Sequence, residues 1–402
     1  MAPPPTPVVS CAVLVAPPSG SARDGSHLAE PPTVFGISSR DRLVRGLEAV
    51  GVPQIDRSGR AATERALYLR SDYVFDARLL DALLSAPRDQ VLCGADGTAA
   101  AVVAEPELAE SARAALAGGS FDGLQRAAPA DLVSSFDHKL RKHTPPLLLR
   151  VGAMPVRSIE DQLFAASYKG ITDGITRWVW PVPARASTRW CAARGITPNQ
   201  ITVVSWLLTG LVLALWSVGW FGSGLVLAWA MTFLDTVDGK LARVTLTSSR
   251  LGHVMDHGLD LIHPPFWWAA WAWGLAAAAG EPGFGSFEPA MLVVVAGYFA
   301  GRALEGVFLV LFRMEMFSWR RFDGVFRQVI ARRNPNLLLL TTGLLLGSPA
   351  VGLNAVAAWT AACIGIQIVR IGQAITTRLA GGTIEPWEQE SSTRPTQGGN
   401  QP

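Results

Sequence analysis

Apolar positions divide this chain into two unlike halves. Residues 1–195 alternate short apolar runs with polar stretches, whereas residues 196–380 are dominated by Leu, Val, Ala, Trp and Gly. A helix needs about 20 apolar residues to cross a bilayer. The second half offers six such segments: 199–218, 221–243, 252–279, 289–312, 336–352 and 353–374, the last two joined by a short turn near Ser348. Six crossings would return the chain to the side on which it began. The basic residues fit that layout under the positive-inside rule. Arg313, Arg320, Arg321, Arg327, Arg332 and Arg333 lie between segments four and five, Arg243 and Arg250 between two and three, and Arg370 and Arg378 at or after the end of six. The loops on the other side, 219–221, 280–288 and 347–352, carry no Lys or Arg. The pattern predicts an all-α integral membrane domain over 199–380, with the N-terminal half in the cytoplasm.

In the first half, the apolar runs VVSCAVLVA, ALYLR, VLCG and AAVVA alternate with helix-like stretches such as SRDRLVRGLEAV and DARLLDALLSA. That rhythm predicts an α/β domain over residues 1–150 with a mainly parallel sheet. Residues 151–198 form a linker. Its second part interleaves Arg with Trp178, Trp180 and Trp190, as in an amphipathic helix lying at a lipid interface or packed beside the bundle. Residues 381–402 are polar and rich in Gly, Pro, Ser and Gln, the composition of a disordered tail.

Charge and cysteine content narrow the function classes. A formal net charge of +3 over 402 residues gives no reason to expect nucleic-acid binding. The four cysteines are scattered and form no CxxC pair, which argues against a zinc site or a disulfide framework. The N-terminus shows no basic n-region followed by an unbroken apolar run, so no signal peptide is expected.

One stretch does not suit an apolar bundle. FLDTVDGKLARVTLTSSRLGHVMDHGLD, Phe233 to Asp260, places Asp235, Asp238, Asp256 and Asp260 between two apolar segments. Residues three or four apart share a helix face. Asp235 and Asp238 therefore project together near the end of the second segment, and Asp256 and Asp260 near the start of the third. Folding one segment against the other can gather all four. Like charges in a low-dielectric pocket raise one another's pKa, and divalent cations with hard oxygen ligands (Mg²⁺, Mn²⁺ or Ca²⁺) are the simplest compensation. Two such ions make a centre suited to in-line displacement at phosphorus. Gly239 and Gly252 leave room for a ligand near the backbone, and Lys240 and Arg243 supply positive charge for a diphosphate. His253, His257 and His263 lie in or beside the same segment. The first two are spaced as metal ligands can be, but the carboxylates already account for metal.

The spacing D-x2-D-G-x2-A-R-x8-G-x3-D-x3-D resembles the signature of the CDP-alcohol phosphotransferases (CDP-alcohol phosphatidyltransferases), matched without a gap from Asp235 to Asp260. The resemblance covers about residues 160–375 and implies six transmembrane helices. It implies that an acceptor hydroxyl attacks the β-phosphate of a CDP-linked donor with loss of CMP, using two divalent cations, Mg²⁺ or Mn²⁺. Asp235, Asp238 and Asp256 would hold the metals. Asp260 would be the general base and would also reach a metal. Asp238, Gly239, Ala242, Arg243 and Gly252 would line the CDP site, and Asn199, in the helix-start sequence ITPNQIT, would join them. The donor would be CDP-diacylglycerol or a CDP-polyol, and the acceptor an alcohol, with inositol phosphate the first candidate. The resemblance also implies a homodimer in contact with membrane lipids, with the active site facing the cytoplasm.

Arg302 and Glu305 lie inside the fourth segment, where a charge marks either a functional site or an internal ion pair. Arg302, with Arg320 and Arg321 of the following loop, is the candidate acceptor site. The juncture SYKGITDGITRWVWPVPAR is similar to that of the bifunctional inositol-phosphate cytidylyltransferases and di-inositol-phosphate-phosphate synthases. Residues 38–52 and 68–84 resemble nucleotidyltransferase segments, with Asp72 at a metal-binding position. The glycine-rich loop of that fold is degraded. Pro17 and Pro18 stand where backbone N–H groups would cradle phosphate, and only Gly20 and Arg23 are similar to it. The resemblance therefore implies a nucleotidyltransferase-like domain that has lost or changed its activity. The alternatives are a bifunctional enzyme that also makes the CDP-alcohol from CTP, and a non-catalytic scaffold or transporter.

Overall fold

The computed structural model describes residues 9–18, 32–58, 64–248 and 250–387; the side chains of Arg250, Leu251, His253, Asp256 and His257 are outside the described set. Gly20, Arg23 and the tail from residue 388 also lie outside it. The chain divides into two compact units. One takes in Met1–Tyr168, Arg189–Gly195 and Leu241–Thr247, and the other Lys169–Thr188, Ile196–Lys240 and Ser248–Pro402.

The first unit begins with β1 (Cys11–Val15) and a small hairpin, β2 (Thr33–Val34) and β3 (Ile37–Ser38), leading into α1 (Ser39–Ala49). Then come β4 (Gln54–Asp56), β5 (Ala66–Arg70), β6 (Tyr73–Phe75), α2 (Ala77–Leu84), β7 (Gln90–Cys93), β8 (Ala99–Ala104) and α3 (Ala109–Leu116). It closes with β9 (Gln125–Ala127), α4 (Pro129–Leu132), β10 (Phe136–Asp137), β11 (Lys142–His143), β12 (Leu148–Arg150) and α5 (Val156–Ala166). Six strands make one sheet in the order β4-β1-β5-β8-β7-β9. Both faces of β1 are covered. Ala12 and Leu14 pack with Leu43, Leu47, Leu79 and Leu83 on one side, and Val13 with Ala112 and Leu116 on the other. Burial on both faces explains why the strands read as unbroken apolar runs.

The sheet is α/β and mainly parallel, as expected, with β8 alone reversed. β1 runs parallel to β4 and β5, and β7 to β9, whereas β8 is antiparallel to both β5 and β7. The reason is the link between β7 and β8. Five residues can close a hairpin, but a parallel crossover needs a dozen or more. Gly97, at φ +75°, makes the turn.

The second unit is helical. After α6 (Gly174–Trp178) and α7 (Pro181–Ala193, whose last residues belong to the first unit) come α8 (Pro198–Ser217), α9 (Phe221–Thr245), α10 (Arg250–Ala278) and α11 (Glu288–Phe312). They are followed by α12 (Arg321–Phe326), α13 (Arg333–Leu345) and α14 (Pro349–Leu379). Between α5 and α8 the chain thus forms two helices, α6 and α7, rather than one. Trp178 and Val182 are exposed on them.

A helix occupies each of the six apolar segments, but among the described residues three are long and apolar enough to cross a membrane: Pro198–Ser217, Gly285–Phe312 and Pro349–Leu379. α9 and α10 have the length but carry the charges of the Asp-rich stretch. α13 has 13 residues, a rise of roughly 20 Å. The fifth segment, expected over 336–352, stops at Leu345, and Ser348 caps α14 instead. Two glycines let these helices cross closely: a Cβ on Gly343 would lie 2.4 Å from the Gly352 nitrogen.

Trp216, Trp267, Trp268 and Trp271 are buried at the centre of the unit, with Trp216 edge-on to Trp267 and Trp271 at centroid distances of 5.3 and 4.9 Å. The outer surface is apolar too. Leu207, Val226 and Val310 are 69%, 69% and 79% exposed, which suits lipid rather than water. A second anchor is ionic. Asp323, 1% exposed, accepts from Arg370 Nε at 2.6 Å and Nη2 at 2.7 Å. Asp323→Ala leaves Arg370 buried without this partner and is expected to cost roughly 3–5 kcal/mol. The double change Asp323→Leu/Arg370→Met should cost less. Thermal unfolding in detergent compares the two.

Candidate active site

The site is assembled from the start of α8, α9 up to Lys240, the first turns of α10 and the N-terminus of α13. α8 starts where ITPNQIT predicts. Thr197 caps it, accepting from the Gln200 amide at 3.4 Å, while the Gln200 side chain accepts from the Thr197 amide at 2.9 Å, and Pro198 takes the first helical position. One turn on, Thr202 donates through Oγ1 to Asp238 Oδ2 at 2.7 Å. Both residues are buried. Asn199 is half-buried in the first turn of α8.

Asp235 and Asp260, on different helices, meet at one guanidinium. Arg333 donates through Nη2 to Asp235 Oδ2 at 2.5 Å and through Nη1 to Asp260 Oδ1 at 2.8 Å. Asp235 and Arg333 are largely buried, whereas the Asp260 side chain is half exposed. Gly239, Ala242 and Arg243 follow on the last turns of α9, and Gly252 lies in the first turn of α10; all four are half-buried. The Asp256 side chain lies outside the described residues, as do those of His253 and His257. Among the described residues no three His, Cys, Asp or Glu side chains come together as a metal ligand set.

α10 carries two consecutive prolines, Pro264 and Pro265. They cannot donate back to the carbonyls of Asp260 and Leu261. Tyr298 of α11 takes over: its hydroxyl lies 3.2 Å from the Asp260 carbonyl oxygen and 2.9 Å from that of Leu261. The backbone of Asp260 is thereby tied to α11. His263 packs into the bundle. It is buried, its Nδ1 lies 2.5 Å from the Leu259 carbonyl oxygen, and its ring stands edge-on to Trp267.

Beside Tyr298 opens a small cavity lined among others by Arg302, Glu305, Arg332, Thr360 and Gln367. Arg332 clamps both oxygens of Glu305 at 2.5 and 2.6 Å, and Arg302 approaches Glu305 at 3.7 Å. Among the described residues, Thr360 Oγ1 and Gln367 Nε2 are buried without a hydrogen-bond partner, so the cavity wall has polar groups to offer a ligand. Nearby Arg327 is half-buried. Burial, reinforced by the charge of Arg332, brings its guanidinium down to about 9, still charged at neutral pH. Arg320 and Arg321 do not line the cavity. Arg320 stacks on Trp319 and Arg321 faces Trp387.

In the first unit, Asp72 is enclosed by arginines. Arg70 donates to its two oxygens at 2.9 and 2.6 Å, and Arg150 Nε to Oδ2 at 3.2 Å.

Three residues of the second unit lay outside the sequence-based site: Thr202, Tyr298 and Arg333. Arg333 was visible only as one of a run of loop arginines. The double proline was a signal for a partner like Tyr298, since it leaves two carbonyls open.

Residues 195–367 match the family model of the CDP-alcohol phosphatidyltransferases. The chain carries a CDP-alcohol phosphatidyltransferase domain. The match takes in the Asp-rich stretch, the helices from α8 to α13 and the first part of α14, and it makes the domain an integral membrane one. The chain is similar to the bifunctional IPC transferase and DIPP synthase of Rubrobacter xylanophilus, 31% identical over 165 residues, 40% of this chain and 34% of the relative. It is also similar to the archaetidylinositol phosphate synthase of Pyrococcus horikoshii, 39% identical over 70 residues, 17% of this chain and 37% of the relative. The chain thus spans about a third of the length of these curated relatives. Among solved structures it is similar to the phosphatidylinositol phosphate synthase of Mycobacterium tuberculosis. The form with CDP-DAG bound is 16% identical, with a TM-score of 0.38, covering 47% of this chain and 92% of that one. The form with manganese and citrate gives a TM-score of 0.37, covering 47% and 88%.

Within the phosphatidyltransferase domain, Tyr298→Phe removes the donor to two carbonyls that lipid cannot hydrogen-bond. A loss of roughly 1–3 kcal/mol is expected, read as a lowered Tm of the purified protein in detergent.

Proposed function

We propose that the chain transfers a phospho-alcohol group from a CDP-linked donor to an alcohol acceptor and releases CMP. The observation that carries the reading is the pair of carboxylates, Asp235 and Asp260, brought from two helices onto one cationic group within a phosphatidyltransferase domain. A guanidinium stands there as a cation between hard oxygen donors, so the donor set fits a divalent ion. Asp235, Asp238, Asp256 and Asp260 would hold two, Mg²⁺ or Mn²⁺. When bound, they would neutralise the diphosphate and polarise its phosphoryl oxygens.

The chain's own residues do the rest. Asp260, with one side open, takes the proton of the acceptor hydroxyl. The hydroxyl oxygen bonds to the β-phosphorus, the bond from that phosphorus to the bridging oxygen breaks, and CMP leaves with the electron pair. Thr202 holds Asp238 in a single orientation. Gly239, Ala242, Arg243, Gly252 and Asn199 form the CDP side, where Arg243 can pair with phosphate oxygens. The acceptor enters by the cavity with Arg302 and Arg332, whose charges suit a polyol phosphate such as inositol phosphate. Arg320 and Arg321, away from that cavity, are better suited to anionic lipid headgroups. The donor is CDP-diacylglycerol or a CDP-polyol. All six long helices cross or enter the bilayer, with the site and the N-terminal unit on the cytoplasmic side, and the protein works as a homodimer. The N-terminal unit is nucleotidyltransferase-like and inactive, a reading supported by Asp72, whose two oxygens are already engaged by Arg70 and Arg150.

CMP release tests the reaction. Purified protein with Mg²⁺ or Mn²⁺ is offered CDP-diacylglycerol or CDP-inositol with a panel of polyols and polyol phosphates. One pair should release CMP, and Asp260→Asn should slow it by about 10²–10⁴-fold. No release from any pair would overturn the reading. The state of the N-terminal unit is tested in the Asp260→Asn protein, which cannot consume a CDP-alcohol. With CTP and inositol phosphate it should accumulate no CDP-inositol.

A further inference from the structure

We infer that Arg333 is the internal cation of the carboxylate site and that it leaves Asp235 and Asp260 when divalent metal binds. The inference rests on the proposed metal reading and adds a residue that competes for the same oxygens.

The geometry is that of a placeholder. Arginine keeps its proton at every pH the protein meets, so Arg333 neutralises part of the cluster whenever metal is absent. Its two terminal nitrogens engage carboxylates on two helices, α9 and α10, as a bridging ion would. One positive charge between two carboxylates still leaves the site negative, so divalent ions remain the better match. The oxygens Asp235 Oδ2 and Asp260 Oδ1 cannot direct the same lone pairs at Arg333 and at a metal together.

The backbone at Arg333 is held independently of its side chain. Arg333 opens α13, and the residues on either side of it are anchored elsewhere. Arg332 is clamped on Glu305 of α11, and Asn334 Nδ2 donates to Asp173 Oδ1 at 2.9 Å. The start of the helix is therefore held by its neighbours, while the Arg333 stem has four rotatable bonds with which to swing its head away. Consecutive arginines thus have separate tasks, one fixing the helix end and the other occupying the site.

Two consequences follow from exchange. The metal-free protein is stabilised by Arg333, and metal affinity is lowered by the work of displacing it. The test is a titration of the full-length protein in detergent with Mn²⁺ alone, followed by the loss of the free-ion electron paramagnetic resonance signal, with Tm recorded in parallel. In Arg333→Gln the metal-free Tm should fall. Mn²⁺ should bind on the order of tenfold more tightly, equivalent to about 1.4 kcal/mol, and should raise Tm by more than it does in the unmodified protein. Arg333→Lys, which keeps the charge but cannot bridge in the same way, should fall between the two; it carries the test if the glutamine variant does not fold. Mn²⁺ binding that is unchanged or weakened in the variants, beside normal binding to the unmodified protein, would overturn the exchange and leave Arg333 an orienting partner of bound metal. No Mn²⁺ binding to any form would overturn the metal reading, and the exchange with it.

Discussion

Charge neutralisation inside an apolar bundle is the constraint on which the second unit depends. A carboxylate taken out of water needs a cation or hydrogen-bond donors within a few ångströms, and four ionic contacts here obey that rule. Asp235 and Asp260 share Arg333, Glu305 is clamped by Arg332, and Asp323 is gripped by Arg370. Every one of these pairs has at least one member in the stretch from α12 to the start of α13. That basic segment, which by composition reads as a marker of the cytoplasmic side, is also what joins α9, α10, α11 and α14 electrostatically. Topology and packing use the same arginines.

The same constraint governs the backbone around Asp260. Pro264 and Pro265 open two carbonyls just where α10 carries the proposed base, and Tyr298 answers both from the next helix. On the other side, Thr202 of α8 fixes Asp238. The carboxylates of the site are therefore not simply helix-surface groups. Each of the three with a described side chain is tied to a helix other than its own, and this limits how far the cluster can relax when its ligands change.

The first unit is built around its own sheet. Its sheet keeps both faces covered and its helices packed, although a five-residue hairpin turns two of the neighbouring pairings antiparallel. Asp72, at a position that resembles a metal ligand, is enclosed by Arg70 and Arg150.

Local information was enough for a good deal of this protein. Six helical segments, the cap at Thr197, the two-per-face spacing of the aspartates and the α/β rhythm of the first half all depend on residues within a few turns or one strand of each other, and periodicity records such neighbours directly. The length of α13 and the parts played by Thr202, Tyr298 and Arg333 do not. Arg333 is 98 positions from Asp235 and 73 from Asp260, and nothing in its own neighbourhood separates it from the five other arginines between α11 and α13. Only packing of the helices decides which guanidinium reaches the carboxylates, because an ion pair is set by distance in space and the chain records only order.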